Sequence, residues 1–510
     1  MSLAKTYSAQ LIGLVSEIIT LEVDISNGLH SFSIVGLGDR SVEEAKDRVS
    51  AAIKNSGYIS PKQKNQKVVV SMAPADIHKE GPSFDLAIAI AYLSAAEDIV
   101  FTPENTLLLG ELSLEGRIRK VSGLLPILCQ APIHKFKQAF IPKDNVDEAS
   151  LAQGLTIFPV STLTEVIDHI TGLRLVEPLK LREENEFSSI NTDDQTLDMS
   201  IIRGNESAKR GLEIAAAGAH NIIMCGLPGT GKTMLAKSFC SILPNLSYEE
   251  SVEVTGIHSA ARILGTKLII RPPFRSPHHT ASYPSIVGGG SFPRPGEITL
   301  AHRGVLFLDE FPEFSREVIE ALRQPLEDRL ITISRARGII TFPAQCILIA
   351  SMNPCPCGLG RENNCTCTTR TLEMYKRKIS GPIIDRLDVW LNINMIDYGK
   401  LAAPVSTSET SETIRNRVQK ARMRQKSRFQ KNNIRKSYNS EMDARDIERF
   451  ANISDEARKI LTASSEKLKM SGRAFHRIIK VARTISDLSD SDTIMPEHIF
   501  EAIQYRQRNL

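Results

Sequence analysis

The stretch GLPGTGKT, Gly226 to Thr233, fits the pattern G-x-x-x-x-G-K-[ST]. The chemistry served by that pattern is the binding of a nucleoside triphosphate. Gly226, Pro228, Gly229, Thr230 and Gly231 make a turn whose backbone N–H groups can close on phosphate oxygens. The helix expected after it adds partial positive charge at its N-terminus. Lys232 would reach the β- and γ-phosphates, and Thr233 would hold Mg²⁺. A second run, GVLFLDE, ends in Asp309 and Glu310. Asp309 would bind the magnesium through water, and Glu310 would orient or deprotonate the attacking water. These residues predict a nucleoside-triphosphatase with ATP and Mg²⁺ as cofactors.

Two other groups could carry chemistry. Cys355, Cys357, Cys365 and Cys367 form C-x-C-x₇-C-x-C. Four thiols so close together suit a tetrahedral structural Zn²⁺, although C-x-C has a tighter bite than the usual C-x₂-C. The alternative is four free thiols in an exposed loop. The other group is HKEGPSFDLAIAIAYLSAA, residues 78–96, a Gly-Pro-Ser turn entering an apolar helix with Lys79 and Glu80 just ahead. Serine–lysine proteases present their nucleophile in such a turn, but a serine needs an adjacent base.

The elements that must position these residues can be read from the pattern. In the first ~175 residues, strand-like runs (LVSEIITLEVDI, HSFSIVGL, KVVVSMAP) alternate with helices. One helix is predicted to start at Ser41, with Glu44 completing a capping box, and to stop before Gly57. Domains are expected at 1–178, 201–400 and 401–510, with a polar, unpatterned linker at 179–200. The phosphate loop sits between an apolar strand and a helix, opening an α/β region. The last ~100 residues are helical, beginning with a basic helix near 409–431 that bears Arg415, Arg417, Lys420, Arg422, Arg424, Lys426, Arg428 and Lys431. Such a face is either solvated or attractive to DNA.

Bulk properties exclude some classes. The chain of 510 residues is 42% hydrophobic and 24% charged, with a net charge of +4. So small a net charge does not itself indicate nucleic acid, and binding would have to come from local clusters. No apolar run approaches the ~20 residues of a membrane span, and the N-terminus carries no export pattern, so a cytoplasmic protein without a membrane partner is expected. Cys129, Cys225, Cys240 and Cys346 stand singly in apolar contexts and read as core residues. DLSDS, Asp487 to Ser491, fits a magnesium-adhesion pattern but falls between two helices, where a polar turn explains it.

Several longer motifs are more specific. RPPFRSPHHTASYPSIVGGGSFPRPGEITLAHRGVLFLDEFPEF, LRQPLEDRLITISRARG, NPCPCG and SGPIIDRLDVWL resemble the magnesium-chelatase-like AAA+ family across essentially the whole chain. In particular they resemble the branch whose members drive DNA branch migration in natural transformation. It implies a P-loop AAA+ α/β core with a C-terminal helical lid, assembled as a hexameric ring with ATP at subunit interfaces. Asn353, ending the strand-like CILIASMNP, matches the asparagine that positions water in ring ATPases. Arg386 matches the arginine finger that reaches a neighbour's γ-phosphate. Arg473 best matches the sensor arginine of the lid, with Arg477 and Arg483 on the same helix. Phe292 and Arg294 on one loop, and Arg335 and Arg337 on a hairpin, would face DNA in the pore. The His278–His279 pair is expected to play a structural hydrogen-bonding role.

Residues 67–145 resemble the Lon protease domain, an α+β fold, and KEGPSFDLAIA aligns with its nucleophile turn. Ser83 then matches the catalytic serine. The matching lysine should follow Gly-Leu in GRIRKVSGLLPI, where this chain has Leu125; Lys120 precedes the turn. The domain is therefore expected to be catalytically dead, with Ser83 capping the apolar helix. Three functions compete at this stage: a DNA motor with single-stranded or branched DNA and recombinase machinery as partners, a chelatase motor for metal insertion into a tetrapyrrole, and a Lon-like protease. Chelatase motor subunits are expected to lack the N-terminal domain, which favours the DNA motor.

Overall fold

The computed structural model describes residues 2–182, 197–264, 268–290, 293–335, 338–360, 365–395 and 409–506. The chain forms two compact units. The first comprises Met1–Asn191 with Tyr248–Ile269 and Ser291–Pro295; the second comprises Thr192–Ser247, Ile270–Gly290 and Gly296–Leu510.

In the first unit, four strands pair in the order Ser2–Ile12, Val15–Asn27, Gln66–Ala73, Ser31–Val35. The first two pairings are antiparallel and the last is parallel. The helix Asp85–Ala95 is buried on every side apart from Ser94, as its unbroken apolar sequence requires. It forms a core with Ile19, Leu21, Val68, Val70 and the inner face of Arg40–Asn55. A second, parallel sheet (Thr106–Leu108, Gln138–Pro142, Thr156–Val160) supports another apolar cluster with the helix Leu124–Gln130. The helix Tyr248–Ala260 also packs in this unit, with Tyr248 and Val252 against that cluster. The segment falls within 201–400, the stretch expected as the ATPase core, and packs outside it.

Two capping expectations are corrected. The helix Arg40–Asn55 is capped by Asp39, whose carboxylate accepts the Val42 N–H at 2.8 Å, and not by Ser41. The apolar helix starts at Asp85 behind Phe84, with no side-chain cap, so Ser83 does not play the capping role. Ser83 instead contributes its carbonyl, which accepts the Gly110 N–H at 3.0 Å. Asp85, the first helical residue, turns inward: its carboxylate is fully buried and takes two hydrogen bonds from Arg48, at 2.7 and 3.0 Å.

The second unit is built on a five-stranded parallel sheet in the order Phe274–Arg275, Val305–Leu308, Ile347–Met352, Ile222–Gly226, Val389–Ile393. Every residue of Val305–Leu308 and Ile347–Met352 is buried, as expected for inner strands of a parallel sheet. The C-terminal helices share one apolar core with this sheet. His220, fully buried, bonds Asp388 at the sheet and Thr484 on the lid helix Gly472–Leu488. Of the predicted linker, Leu179 and Arg182 bond back to Ile157 and Ser150 in the first unit, while residues 183–196 lie outside the described residues.

The basic helix is Ser411–Gln430, and it buries Ile414, Val418, Ala421, Gln425 and Phe429 along one face. Four of its arginines have structural partners. Arg417 pairs with Glu213 and Glu409; Arg422 donates to the carbonyl of Ala216 near the end of Glu206–Gly218. Arg424 pairs with Asp490 and Asp492, and Arg428 with Asp487. Much of the helix's charge is thus used to join the lid to the core.

Candidate active site

The phosphate-loop strand Ile222–Gly226 lies inside the sheet, so the turn after it opens at the strands' C-terminal edge, where parallel α/β sheets bind ligands. Gly226 is required by packing, because a Cβ there would stand 2.6 Å from the Ile393 carbonyl oxygen. Gly229 and Gly231 have φ of 77° and 88°, and no atom lies within 4 Å of where their Cβ would be. They leave an open backbone concavity. Thr230 closes the turn by donating to the Leu227 carbonyl at 2.9 Å. The helix Lys232–Ile242 starts at the concavity and directs its N-terminal N–H groups at it.

Lys232 curls back over the loop. Its ammonium donates to the carbonyls of Gly226 and Leu227, at 2.7 and 2.9 Å, and to Asn353 Oδ1 at 3.1 Å. Burial pulls its pKa below the ordinary lysine value, against the opposing charge of Asp309. Thr233 donates to Asp309 Oδ2 at 3.0 Å. Asp309 Oδ1 accepts from Ser351 and, at 3.0 Å, from the N–H of Glu310. Glu310 has a left-handed backbone, φ 51°, and its carboxylate lies 3.3 Å from His279. Three adjacent strand ends therefore converge: the phosphate loop, the Asp309–Glu310 pair, and Ser351 with Asn353. A hydroxyl beside a carboxylate, next to a lysine and an open set of N–H groups, fits Mg²⁺ with a triphosphate.

Sequence reasoning missed Ser351, which orients Asp309 from the neighbouring strand. Its only signal was a small polar residue two positions before Asn353. His279 also has a more specific contact than expected, while His278 bonds Thr280 at 2.8 Å.

The two arginines predicted for catalysis are brought together with each other and not with Lys232. Arg386 pairs with Glu327, and its carbonyl accepts from Asn221, the residue before the phosphate-loop strand. Arg473 reaches Asp385 at 3.1 Å. Both line a cleft of about 820 Å³ with Asn221, Gln345 and Asp388, at the opposite, N-terminal edge of the sheet. Arg477 donates to the carbonyls of Ile384 and Leu387; Arg483 is buried against Asp487. Asp487 is thereby committed to Arg428, Arg483 and Asn439, which accounts for the acid in DLSDS structurally.

Of the predicted DNA-facing residues, Arg294 is exposed in the short strand Arg294–Pro295. Arg335 ends the first strand of an antiparallel hairpin, Leu330–Arg335 with Gly338–Pro343. Phe292 and Arg337 lie outside the described residues. The four clustered thiols converge, with all Sγ atoms within 4.8 Å of one another. The Leu359 N–H draws the Cys357 thiol down to about 6. The remaining cysteines are half-buried and not in the core proper; desolvation raises Cys129 and Cys225 to about 11, and Cys240 and Cys346 to about 12.

Around Ser83 the lysine expected for proteolysis is missing. Leu125 is wholly buried in its apolar cluster, and Lys120 is exposed. Lys79, also buried, gives its ammonium to the Pro74 carbonyl.

A phosphate loop on a parallel sheet, with acids and a polar residue at the adjoining strand ends, defines the chain as a P-loop AAA+ nucleoside-triphosphatase. A family model described as magnesium chelatase, subunit ChlI, matches residues 198–401, and one for the ChlI C-terminal region matches 408–506. A model described as subunit ChlI of Mg-chelatase matches 21–145. The uncharacterized protein YifB of Escherichia coli is 41% identical over 508 residues, covering 99% of this chain and 97% of YifB. Competence protein ComM of Haemophilus influenzae is 39% identical over 508 residues, covering 99% and 98%. A Lon protease of Acinetobacter baumannii is 31% identical over 160 residues, 30% of this chain and 20% of that protease. The chain belongs to the magnesium-chelatase-like AAA+ family, in the group that includes ComM and YifB. The match at 21–145 also corrects one expectation: an N-terminal domain does not by itself separate a DNA motor from a chelatase motor. No helix among the described residues is long and apolar enough to cross a membrane.

Proposed function

We propose that this protein is a cytoplasmic, ATP-driven DNA motor that works as a homo-hexameric ring and moves branch points during recombination of incoming DNA. The observation that carries the ring is the separation of Lys232 and Arg386 to opposite edges of one sheet. The five-residue strand Ile222–Gly226 spans the two edges. At ~3.3 Å per residue, the two groups are held roughly 15 Å apart within one chain. This separation supports the reading in which Arg386 serves a γ-phosphate on a neighbouring copy and the site is completed at a subunit interface.

Within that interface, Lys232 and the loop N–H groups bind the phosphates, Glu310 takes the proton of the attacking water, and Asn353 orients it. Thr233 and Asp309 would hold Mg²⁺, which would supply charge neutralisation at the phosphates. Arg386 and Arg473 enter from the next copy, Arg386 stabilising the charge that develops in transfer. A separate structural Zn²⁺ on the four clustered thiols completes the cofactors. The full-length likeness to a competence protein supports DNA as the polymer, in single-stranded or branched form, with recombinase machinery as a further partner. Arg294 and the Leu330–Pro343 hairpin, together with Phe292 and Arg337, would touch it.

The test is a branch-migration assay on labelled three- and four-way DNA, alongside ATPase rates with and without each substrate. ATP-dependent movement and DNA-stimulated hydrolysis are expected. An ATPase rate indifferent to every DNA structure would refute the DNA reading and return the chelatase motor to first place.

A further inference from the structure

We propose that the Zn²⁺ held by Cys355, Cys357, Cys365 and Cys367 braces the phosphate-binding loop, so that nucleotide binding depends on a metal that never touches the nucleotide. This rests on the zinc reading above and assigns the ion a task. The fit of the ligand set comes first. Cys355 and Cys357 sulfurs lie 3.2 Å apart, Cys357 and Cys365 3.5 Å, and Cys365 and Cys355 3.6 Å. A tetrahedral Zn²⁺ with bonds of ~2.3 Å sets sulfurs about 3.8 Å apart, so small outward shifts complete the site. Four thiolates are soft ligands unsuited to Mg²⁺, which keeps the two metal sites chemically distinct. The Gly360 N–H, 3.2 Å from Cys355 Sγ, supplies the kind of backbone bond that orients a ligating sulfur.

The brace follows from what the cysteine loop touches. Gly358 and Gly360 turn the chain in left-handed conformations, φ 78° and 75°. A Cβ on Gly358 would stand 3.0 Å from Pro228 Cγ; one on Gly360 would stand 3.5 Å from Leu227 Cδ2 and 3.3 Å from Pro354 Cγ. The loop backbone thus lies directly on Leu227 and Pro228 of the phosphate loop. Its N-terminal end is fixed by Asn353, which holds Lys232, and the helix Thr369–Arg377 beyond it returns Tyr375 to the Asn353 carbonyl at 3.2 Å. Of the four cysteines only Cys355 is buried, so apolar burial gives this turn little rigidity. The metal closes it instead, tying Asn353, the loop and the Tyr375 helix into one support for the nucleotide pocket.

The test uses the full chain. Elemental analysis should find about one zinc per chain, and the Cys365→Ser/Cys367→Ser variant should lose it while keeping native circular dichroism. If only a tenth of the unbraced loops is binding-competent, its affinity for a fluorescent ATP analogue falls about tenfold. Tyr375→Phe retains all four thiols and should keep its zinc, yet also bind the analogue more weakly, because it removes the hydroxyl that ties the helix to the Asn353 carbonyl. Should the cysteine variant not fold, zinc release from the native chain by a mercurial, reversed by thiol and added Zn²⁺, reads the same coupling. Absence of zinc, or iron in its place, overturns the metal assignment. Zinc present, with analogue affinity unchanged by its loss and by Tyr375→Phe, overturns the brace and leaves the zinc reading standing.

Discussion

If the nucleotide site is shared between copies, two inactive variants should restore each other. Lys232→Ala removes a chain's own phosphate lysine; Arg386→Ala removes the arginine it lends. Each variant alone should lose nearly all hydrolysis, the arginine change by about 10³-fold or more. Arg386 and Lys232 stand at opposite ends of a five-residue strand, so neither change disturbs the other group. In a ring of head-to-tail interfaces assembled from an equal mixture, about a quarter of the interfaces pair an intact phosphate loop with an intact arginine. Mixing by co-refolding or co-expression should then recover about a quarter of the native ATPase rate if interfaces act independently, and less if the ring fires cooperatively. Steady-state phosphate release measures it, with native mass spectrometry confirming mixed rings. Mixed rings that form and yet hydrolyse no faster than either parent would refute the shared site.

Three further outcomes are expected. Glu310→Gln should bind ATP with near-native affinity but hydrolyse it at least ~10²-fold more slowly, read by nucleotide binding beside single-turnover hydrolysis. Arg294→Ala combined with Arg335→Ala should leave DNA-free ATPase intact and remove DNA stimulation, with a shallower salt dependence of DNA binding. Arg48→Met should destabilise the N-terminal unit by ~3–5 kcal/mol in denaturant unfolding, because it strands a fully buried carboxylate. Burial raises Asp85 from its ordinary 3.8 to about 6 despite Arg48. The folded unit therefore holds that proton more tightly than the unfolded chain, and Asp85's contribution is complete below pH ~4 and lost as pH rises through 6. The Arg48→Met deficit should accordingly be smaller at pH 5 than at pH 8.

What the sequence made legible was whatever depends on local spacing. The phosphate loop, the Asp309–Glu310 strand end and Asn353 each announce themselves by an apolar run that stops at a polar residue, and the sheet order brings them together. The residues that stayed hidden act across strands or between helices. Ser351 reads as one more serine until the strands are paired. Asp85 reads as an ordinary first-turn acid until Arg48 meets it from another helix. The basic helix looked like a DNA surface because its acidic partners, Glu213, Glu409, Asp487, Asp490 and Asp492, are scattered through the sequence. The packing of Tyr248–Ala260 with the N-terminal unit could not be read either, since its helix has no feature that distinguishes which core it joins.

The N-terminal unit explains how a protease-like sequence can coexist with an unrelated task. A serine attacks a peptide only when a base takes its proton, and the lysine that serves as that base in the resembled family has no counterpart here. The position of the family lysine is filled by Leu125, fully buried among Val121, Leu124, Ile127 and Leu128. The nearby buried amine, Lys79, is spent on the Pro74 carbonyl. Restoring a lysine at 125 would place an ammonium inside that apolar cluster, at a desolvation penalty of several kcal/mol, so the loss of chemistry is built into the packing. What the fold retains is two apolar clusters and a helix buried everywhere but at Ser94, so the unit keeps its core where the family's catalytic lysine is gone.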